Sequence, residues 1–277
     1  MRSNLYTSRL ASLSTAAKIR FIAFTLVVLG MLALNFALTP TDVLTPTFTG
    51  WFQDLGIHQL HDMTVATLVW IALTVPLALL LYHPTGRVNT VLPPLILAGA
   101  TAMMAFLAES FLFMGFAVMS ALALVALLLH PAGRSLARFD RVESVDQRVA
   151  GLFAIGAIPL LIYAALELVK QLGPVDEHVV FVHYGAMSNA AFLVVIMGAL
   201  AVYRQRDWRF AAWISGLIAA FVGLASVAYL GSESSLGLIG GGLLLLWAIA
   251  FVASVEYVRR SDAEAIESRA ETEVEPA

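Results

Sequence analysis

The chain contains no cysteine. Disulfides, thiolate metal sites and cysteine nucleophiles are therefore excluded, and His, Asp, Glu and Met remain as candidate ligands. Lysine is almost as scarce, with only Lys18 and Lys170 beside the arginines. Neither lies in the middle of an apolar run, which rules out a retinal Schiff base. Charge of either sign is sparse: 13% of 277 residues are charged and 60% are hydrophobic. A soluble domain is about a quarter charged, so lipid must be the main solvent of this surface. The net charge of −3 and the lack of a basic stripe leave no footprint for nucleic acid. There is also no Gly-rich phosphate loop, no G-x-S-x-G elbow and no H-E-x-x-H pair.

What the chain does have is long apolar runs. About 20 such residues cross a bilayer as a helix, and segments near 19–39, 60–82, 91–108, 111–129, 149–170, 180–203, 210–230 and 235–257 meet that length. The stretch 91–129 is too long for one crossing, and Glu109-Ser110 at its middle marks a hairpin. With the N-terminus inside, fifteen of the sixteen Lys and Arg fall on inner segments, and only Lys170 falls outside. That asymmetry obeys the positive-inside rule and puts both termini in the cytoplasm of a cell-membrane protein. The first run, from Phe21, is longer than the about 7–15 residues of a signal-peptide core, so it reads as a retained helix.

The expected fold is all-α: a polytopic membrane protein of eight transmembrane helices, arranged as two parallel four-helix repeats. The repeats span 19–140 and 141–260, with a cytoplasmic segment 1–18 and an acidic, largely disordered cytoplasmic tail 261–277. The repetition shows in polar residues. His61 and His183 lie 122 residues apart, and Glu109-Ser110 and Glu233-Ser234 lie 124 apart, each at the same end of corresponding helices. Pro76 and Pro159 fall inside spans and predict kinks. Gly237 and Gly241 form a Gly-xxx-Gly pair, which predicts close helix packing by the segment 235–257, within the chain or against a homo-oligomeric or partner membrane subunit.

Ionisable residues gather at the outer helix ends: His58, His61 and Asp62; Glu109; Glu167, with Tyr163 one turn earlier; Glu177, His178 and His183; and Glu233. Such residues at membrane depth are costly and by default suggest function. His58 and His61 share a helix face at i, i+3. Together with His178, His183 and the carboxylates Glu109, Glu167 and Glu233, they could surround Zn²⁺ or Cu²⁺. His61 and His183 could instead ligate the iron of a haem b from opposite repeats, and Met63 and Met187 follow them closely enough to serve Cu(I). The bland alternative is capping: acids and serines are favoured at helix N-termini whatever the function. His83 and His130, beside prolines on the inner side, read as interfacial.

This layout of eight spans, an inner N-terminus and histidines near the outer ends resembles membrane copper-handling proteins of the CopD type, and less closely cytochrome b-like bundles. Its arginine-for-lysine composition also resembles that of multi-pass membrane proteins of haloarchaeal and actinobacterial type. The CopD resemblance implies handling of an ion or of electrons at the outer face. Three other functions compete with it. A small-solute transporter would have to use Asn189, Ser120, Ser188, Ser215 and Ser226 in mid-span. A zinc-dependent membrane hydrolase would use Glu109 or Glu167 as base. A non-catalytic structural subunit would use none of these groups.

Overall fold

The computed structural model describes residues 14–38, 44–82, 88–130, 133, 145–205 and 207–274, and every regular element among them is helical. His83, Arg2, Arg9, Arg87, Arg134, Arg138, Arg141 and Arg206 lie outside these residues, as does the expected repeat boundary at 140/141. Helix α1 (Thr15–Leu38) and the short α2 (Pro46–Thr49) precede a long rod, built from a 3-10 turn (Gly56–His58), α3 (Gln59–Leu68), a π-helical stretch (Val69–Thr74) and α4 (Val75–Tyr82). Helices α5 (Leu92–Leu107) and α6 (Phe113–Leu129) follow, then α7 (Gln147–Gln171), α8 (Glu177–Val180), α9 (His183–Val202), α10 (Trp208–Ala228) and α11 (Gly237–Val274).

Seven helical stretches are long and apolar enough to cross a membrane: Thr15–Ala37, Gly56–Tyr82, Asn89–Leu107, Gln147–Gln171, His183–Val202, Trp208–Ala228 and Gly237–Asp262. The chain is thus a multi-pass, all-α membrane protein. Helix α6 is equally apolar but shorter, at 17 residues. It forms with α5 the hairpin that the length of 91–129 requires. Near Pro76 the rod departs from α geometry: the π-helical stretch ends directly before it, where the missing N–H breaks the hydrogen-bond ladder. Asn35 Nδ2 donates to Thr74 Oγ1 (3.0 Å), fastening α1 to this stretch.

The spans differ in what covers them. In the apolar 18-residue stretch of α9, 67% of the residues are buried, against 22% in those of α1 and α7. The reason is side-chain size. Helix α9 is rich in Ala, Gly and Ser, so α3, α5, α7 and α10 can all pack on it. At Gly198 a Cβ would come within 2.7 Å of the Phe153 ring of α7. Helices α10 and α11 touch backbone to backbone at Gly223 and Gly241, where a Cβ on either would lie 2.7 Å from the other's carbonyl oxygen. One arm of the Gly-xxx-Gly pair is therefore used within the chain. One core joins α3 to α7, α9, α10 and α11, and a second joins α1, α4, α5 and α6.

Helix α11 continues without a break to Val274 and so carries helical backbone into the acidic segment expected to be disordered. Glu and Ala dominate there, and both are good helix formers. The turns before α6 and α11 share one construction. Glu109 (φ 51°) and Ser234 (φ 64°) are left-handed, and each is followed by a serine. The Ser110 hydroxyl accepts the Leu112 N–H, and that of Ser235 accepts the Gly237 N–H. The like turns are thus 125 residues apart, matching Glu109 with Ser234 rather than with Glu233. His58 and His183 have the same separation.

Candidate metal centre

Four histidines from three segments meet at one end of the bundle. His58 closes the 3-10 turn, His61 lies in the first turn of α3, His178 lies on α8 and His183 opens α9. Each offers one ligand nitrogen, and the four atoms lie within 4.8 Å of one another. His61, His178 and His183 are buried, and His58 is partly so.

Local structure explains the convergence. Ahead of α3, Gly56 N donates to Asp54 Oδ1 (2.8 Å) and Leu55 N donates to Gln59 Oε1 (2.7 Å). Tyr229 of the α10 end donates to Gly50 O (2.8 Å), and Trp51 packs edge-on against Phe221. The segment that carries Gly50 and Trp51 is thereby packed against α10 and fixes where α3 begins. On the other side, Asp176 caps α8 by accepting from Val179 N (2.9 Å). Buried Val182 then adopts φ 59°, ψ 32°. Left-handed geometry is strained for a β-branched residue, at about 1–3 kcal/mol. It breaks α8 from α9, so that His178 and His183, five positions apart, face one point. Gln171 of α7 braces this break, donating to Val179 O (2.9 Å) and accepting from Gly185 N (2.8 Å), and Ser110 donates to Val180 O (2.6 Å).

The ring nitrogens divide into inner and outer sets. His58 Nδ1 and His183 Nδ1 are 3.1 Å apart. Two nitrogens bound tetrahedrally to one ion at about 2.0–2.1 Å are about 3.3–3.4 Å apart, so the spacing suits shared coordination. Their outer nitrogens face carboxylates, His58 Nε2 with Glu177 and His183 Nε2 with Asp62, both at 3.5 Å. His61 Nε2 lies 3.1 Å from Ser234 Oγ, and Ser234 donates its only proton to Glu167 Oε2 (2.7 Å). His61 Nε2 must then carry the proton, which leaves its Nδ1 with a bare lone pair. That atom is buried and has no hydrogen-bond partner, and the same holds for His178 Nε2. Buried polar atoms are almost always paired. Two bare imidazole nitrogens beside a third and fourth constitute a donor set suited to a divalent transition metal.

A second ring of groups stands behind the ligands. Glu167 is buried and takes Lys170 Nζ on Oε1 (2.7 Å) as well as Ser234 on Oε2. Tyr163 of the same helix donates to Ser234 O (2.7 Å). Tyr184 stacks on His178 with centroids 5.2 Å apart, and Lys170 lies over its other neighbourhood, 5.4 Å from the ring centre. Carboxylates and hydroxyls behind a ligating histidine fix its tautomer and orientation.

Of the residues singled out in the sequence, His58, His61, His178 and His183 come together. Glu167 stands one hydrogen bond farther out, with both oxygens engaged. Glu109 and Glu233 are exposed and do not belong to the four-residue group. Met63 sits against Gln59 Nε2 (3.5 Å), and Met187 is fully buried in the main core. Ser234 was read as a helix cap, but its hydroxyl joins His61 to Glu167, while the neighbouring Ser235 takes the capping bond. A serine beside an acid in a turn carries no sequence signal that separates these roles. Lys170 could have been noticed as the single outer cation three residues from Glu167. No protein-family model, no curated protein and no solved structure matches the chain, so no family is identified for it.

Proposed function

We propose that this membrane protein binds one divalent transition-metal ion, Zn²⁺ or Cu²⁺, through His58, His61, His178 and His183 at its outer face. The observation that carries the reading is the gathering of four histidines, each with a ligand nitrogen within 4.8 Å of the others, two of which (His61 at Nδ1 and His178 at Nε2) have a buried nitrogen without a partner. An all-imidazole set of this kind suits zinc or copper and not Ca²⁺ or Mg²⁺, which take oxygen ligands. It also favours a bare ion over haem. Four nitrogens converging on a point leave no slot for a macrocycle to pass between two axial ligands.

The outer placement rests on charge. Lys18, Arg20, Arg148, Arg204, Arg209, Arg259 and Arg260 belong to the helix ends opposite the histidines, and the positive-inside rule sends that end to the cytoplasm. Two parallel four-helix repeats, with α6 as the fourth crossing, are consistent with this orientation. The 125-residue spacing of the like turns supports them too, since it makes His58 and His183 counterparts meeting across a pseudo-twofold axis. The transporter reading finds less support. Ser188 and Ser215 donate to Ala164 O and Val194 O, and Asn189 donates to Thr101, so these groups bind helices together. As for hydrolysis, both oxygens of Glu167 are already engaged, by Lys170 and by Ser234, and Glu109 is exposed.

Elemental analysis of detergent-purified protein tests the proposal. One equivalent of zinc or copper is expected, lost in His61→Ala and His183→Ala. A metal-free protein that stays so after incubation with either ion, and whose variants fold normally, would leave the structural-subunit reading in its place.

A further inference from the structure

Resting on that metal reading, we infer that the ion is exchangeable with the outer aqueous phase, and that it loads and leaves past His58 and His183 while His61 is held fixed as the anchoring ligand. The surroundings of the histidines carry the inference, because they are unequal. His61 is fully buried, and its outer nitrogen is tied through Ser234 to Glu167 and Lys170, a chain of three bonds of 3.1, 2.7 and 2.7 Å. Every proton in that chain has one place to be, and Tyr163 pins the Ser234 backbone from the same helix. Turning the ring would break the buried His61–Ser234 bond and take the support of Glu167 and Lys170 away from it.

His58 and His183 are held more loosely. Their outer nitrogens stand 3.5 Å from Glu177 and Asp62, beyond a good hydrogen bond. Those carboxylates are open to solvent, at 61% and 37% exposure, and the His58 side chain is 19% exposed. A closed structural metal site would bury this side as deeply as the other. The field also points inward. Asp54, Asp62, Glu109, Asp176, Glu177 and Glu233 belong to this end, and its one described cation, Lys170, is paired with Glu167. Acidic groups on a mouth with low-dielectric walls concentrate cations and raise their on-rate. Acids alone would not make a site. Here they stand over two buried nitrogens without partners, His61 Nδ1 and His178 Nε2.

The ligand class is therefore a hydrated divalent transition-metal ion that sheds water as it passes Asp62 and Glu177. Stopped-flow loading of metal-free protein with Zn²⁺, followed by depletion of a chromophoric zinc chelator, is the test. In Asp62→Asn/Glu177→Gln, loading should slow about tenfold at low ionic strength, and the gap should close at about 1 M salt, where the Debye length is about 3 Å. Ser234→Ala should act on the other step, raising the dissociation rate about 10–100-fold. Glu256→Gln, at the opposite end, is the charge control and should leave loading alone. Wild-type loading rates in Asp62→Asn/Glu177→Gln, or slowing that persists in high salt, would overturn the exchange route while leaving the metal site intact. Failure of the wild-type protein to take up Zn²⁺ at all would instead overturn the metal reading beneath it.

Discussion

The two ends of the bundle treat polar groups in opposite ways. At the end away from the histidines, Arg20, Arg204 and Glu256 sit toward the periphery and each meets a partner. Arg20 of α1 donates to the Leu128, Leu129 and His130 carbonyls at the end of α6. Glu256 of α11 takes Arg209, Arg259 and Trp213, and Arg204 takes Asp262. Apart from Arg259, which shares α11 with Glu256, these partners join different helices or the turns at their ends. At the histidine end, side chains from α3, α7, α8, α9 and the turn before α11 run into one buried network, and two of its nitrogens are left bare. Charges of the first kind anchor helices at a headgroup layer. Bare buried nitrogens are a cost to the fold that a ligand offsets.

The largest expected effect follows from that contrast. Saturating Zn²⁺ or Cu²⁺ should stabilise the wild-type protein, by about 2.7 kcal/mol at a free concentration 100 times Kd. His61→Ala and His183→Ala should lose both the ion and the metal-dependent rise in Tm. Variants that keep one equivalent of ion and the full thermal shift would erase the distinction between the ends.

The next effect is smaller and sharpens the site. Ser234→Ala should weaken metal affinity about 10–100-fold, because the His61 tautomer and ring angle lose their support. Glu167→Gln should weaken it similarly. An amide in that place can donate to Ser234, which would reverse the hydrogen bond and let His61 adopt the other tautomer. Equilibrium competition with a chelator reads both, and wild-type affinity in the two variants would show that the chain of hydrogen bonds is packing alone.

The contrast also explains what could be read without coordinates. Apolar run length and the Glu109-Ser110 break give the helices and the α5–α6 hairpin, since both depend on local composition. The four histidines were legible because metal-binding residue types are few here and the cysteine-free composition leaves little else. Their convergence was not legible, because it depends on Val182 taking a left-handed conformation that nothing in its side chain favours. The roles of Ser234 and Ser235 were out of reach for a related reason. Adjacent serines differ by one position in a turn whose φ value is invisible in sequence, and that one position decides which hydroxyl meets Glu167. For the same reason the residues matched in the sequence lie 122 and 124 apart, whereas the two like turns lie 125 apart.

At the far end the expected effects are on stability alone. Arg20→Ala removes three charge-assisted hydrogen bonds to carbonyls that end the 17-residue helix α6. Hydrogen bonds to charged groups contribute about 1.5–3 kcal/mol, and water can replace part of this at a helix end, so a net loss of about 1–3 kcal/mol is expected. Metal affinity should not change. A fall in affinity that accompanies the loss of stability would mean that the two ends are coupled through α1 and the rod.

Arg209→Ala should do least. Its guanidinium is 57% exposed, and exposed ion pairs contribute about 0.2–1 kcal/mol, less in salt. Glu256 would keep Arg259 and the Trp213 indole, so no buried charge is stranded by the change. Removing Arg209 subtracts one closed contact, whereas removing Ser234 opens a buried network, although each substitution deletes a side chain that makes a short hydrogen bond to a glutamate. Thermal melts of the two variants in low and high salt, with and without metal, make the comparison direct. The Arg209→Ala deficit should be small and vanish in salt, and the Ser234→Ala deficit should persist in salt and grow when metal is present.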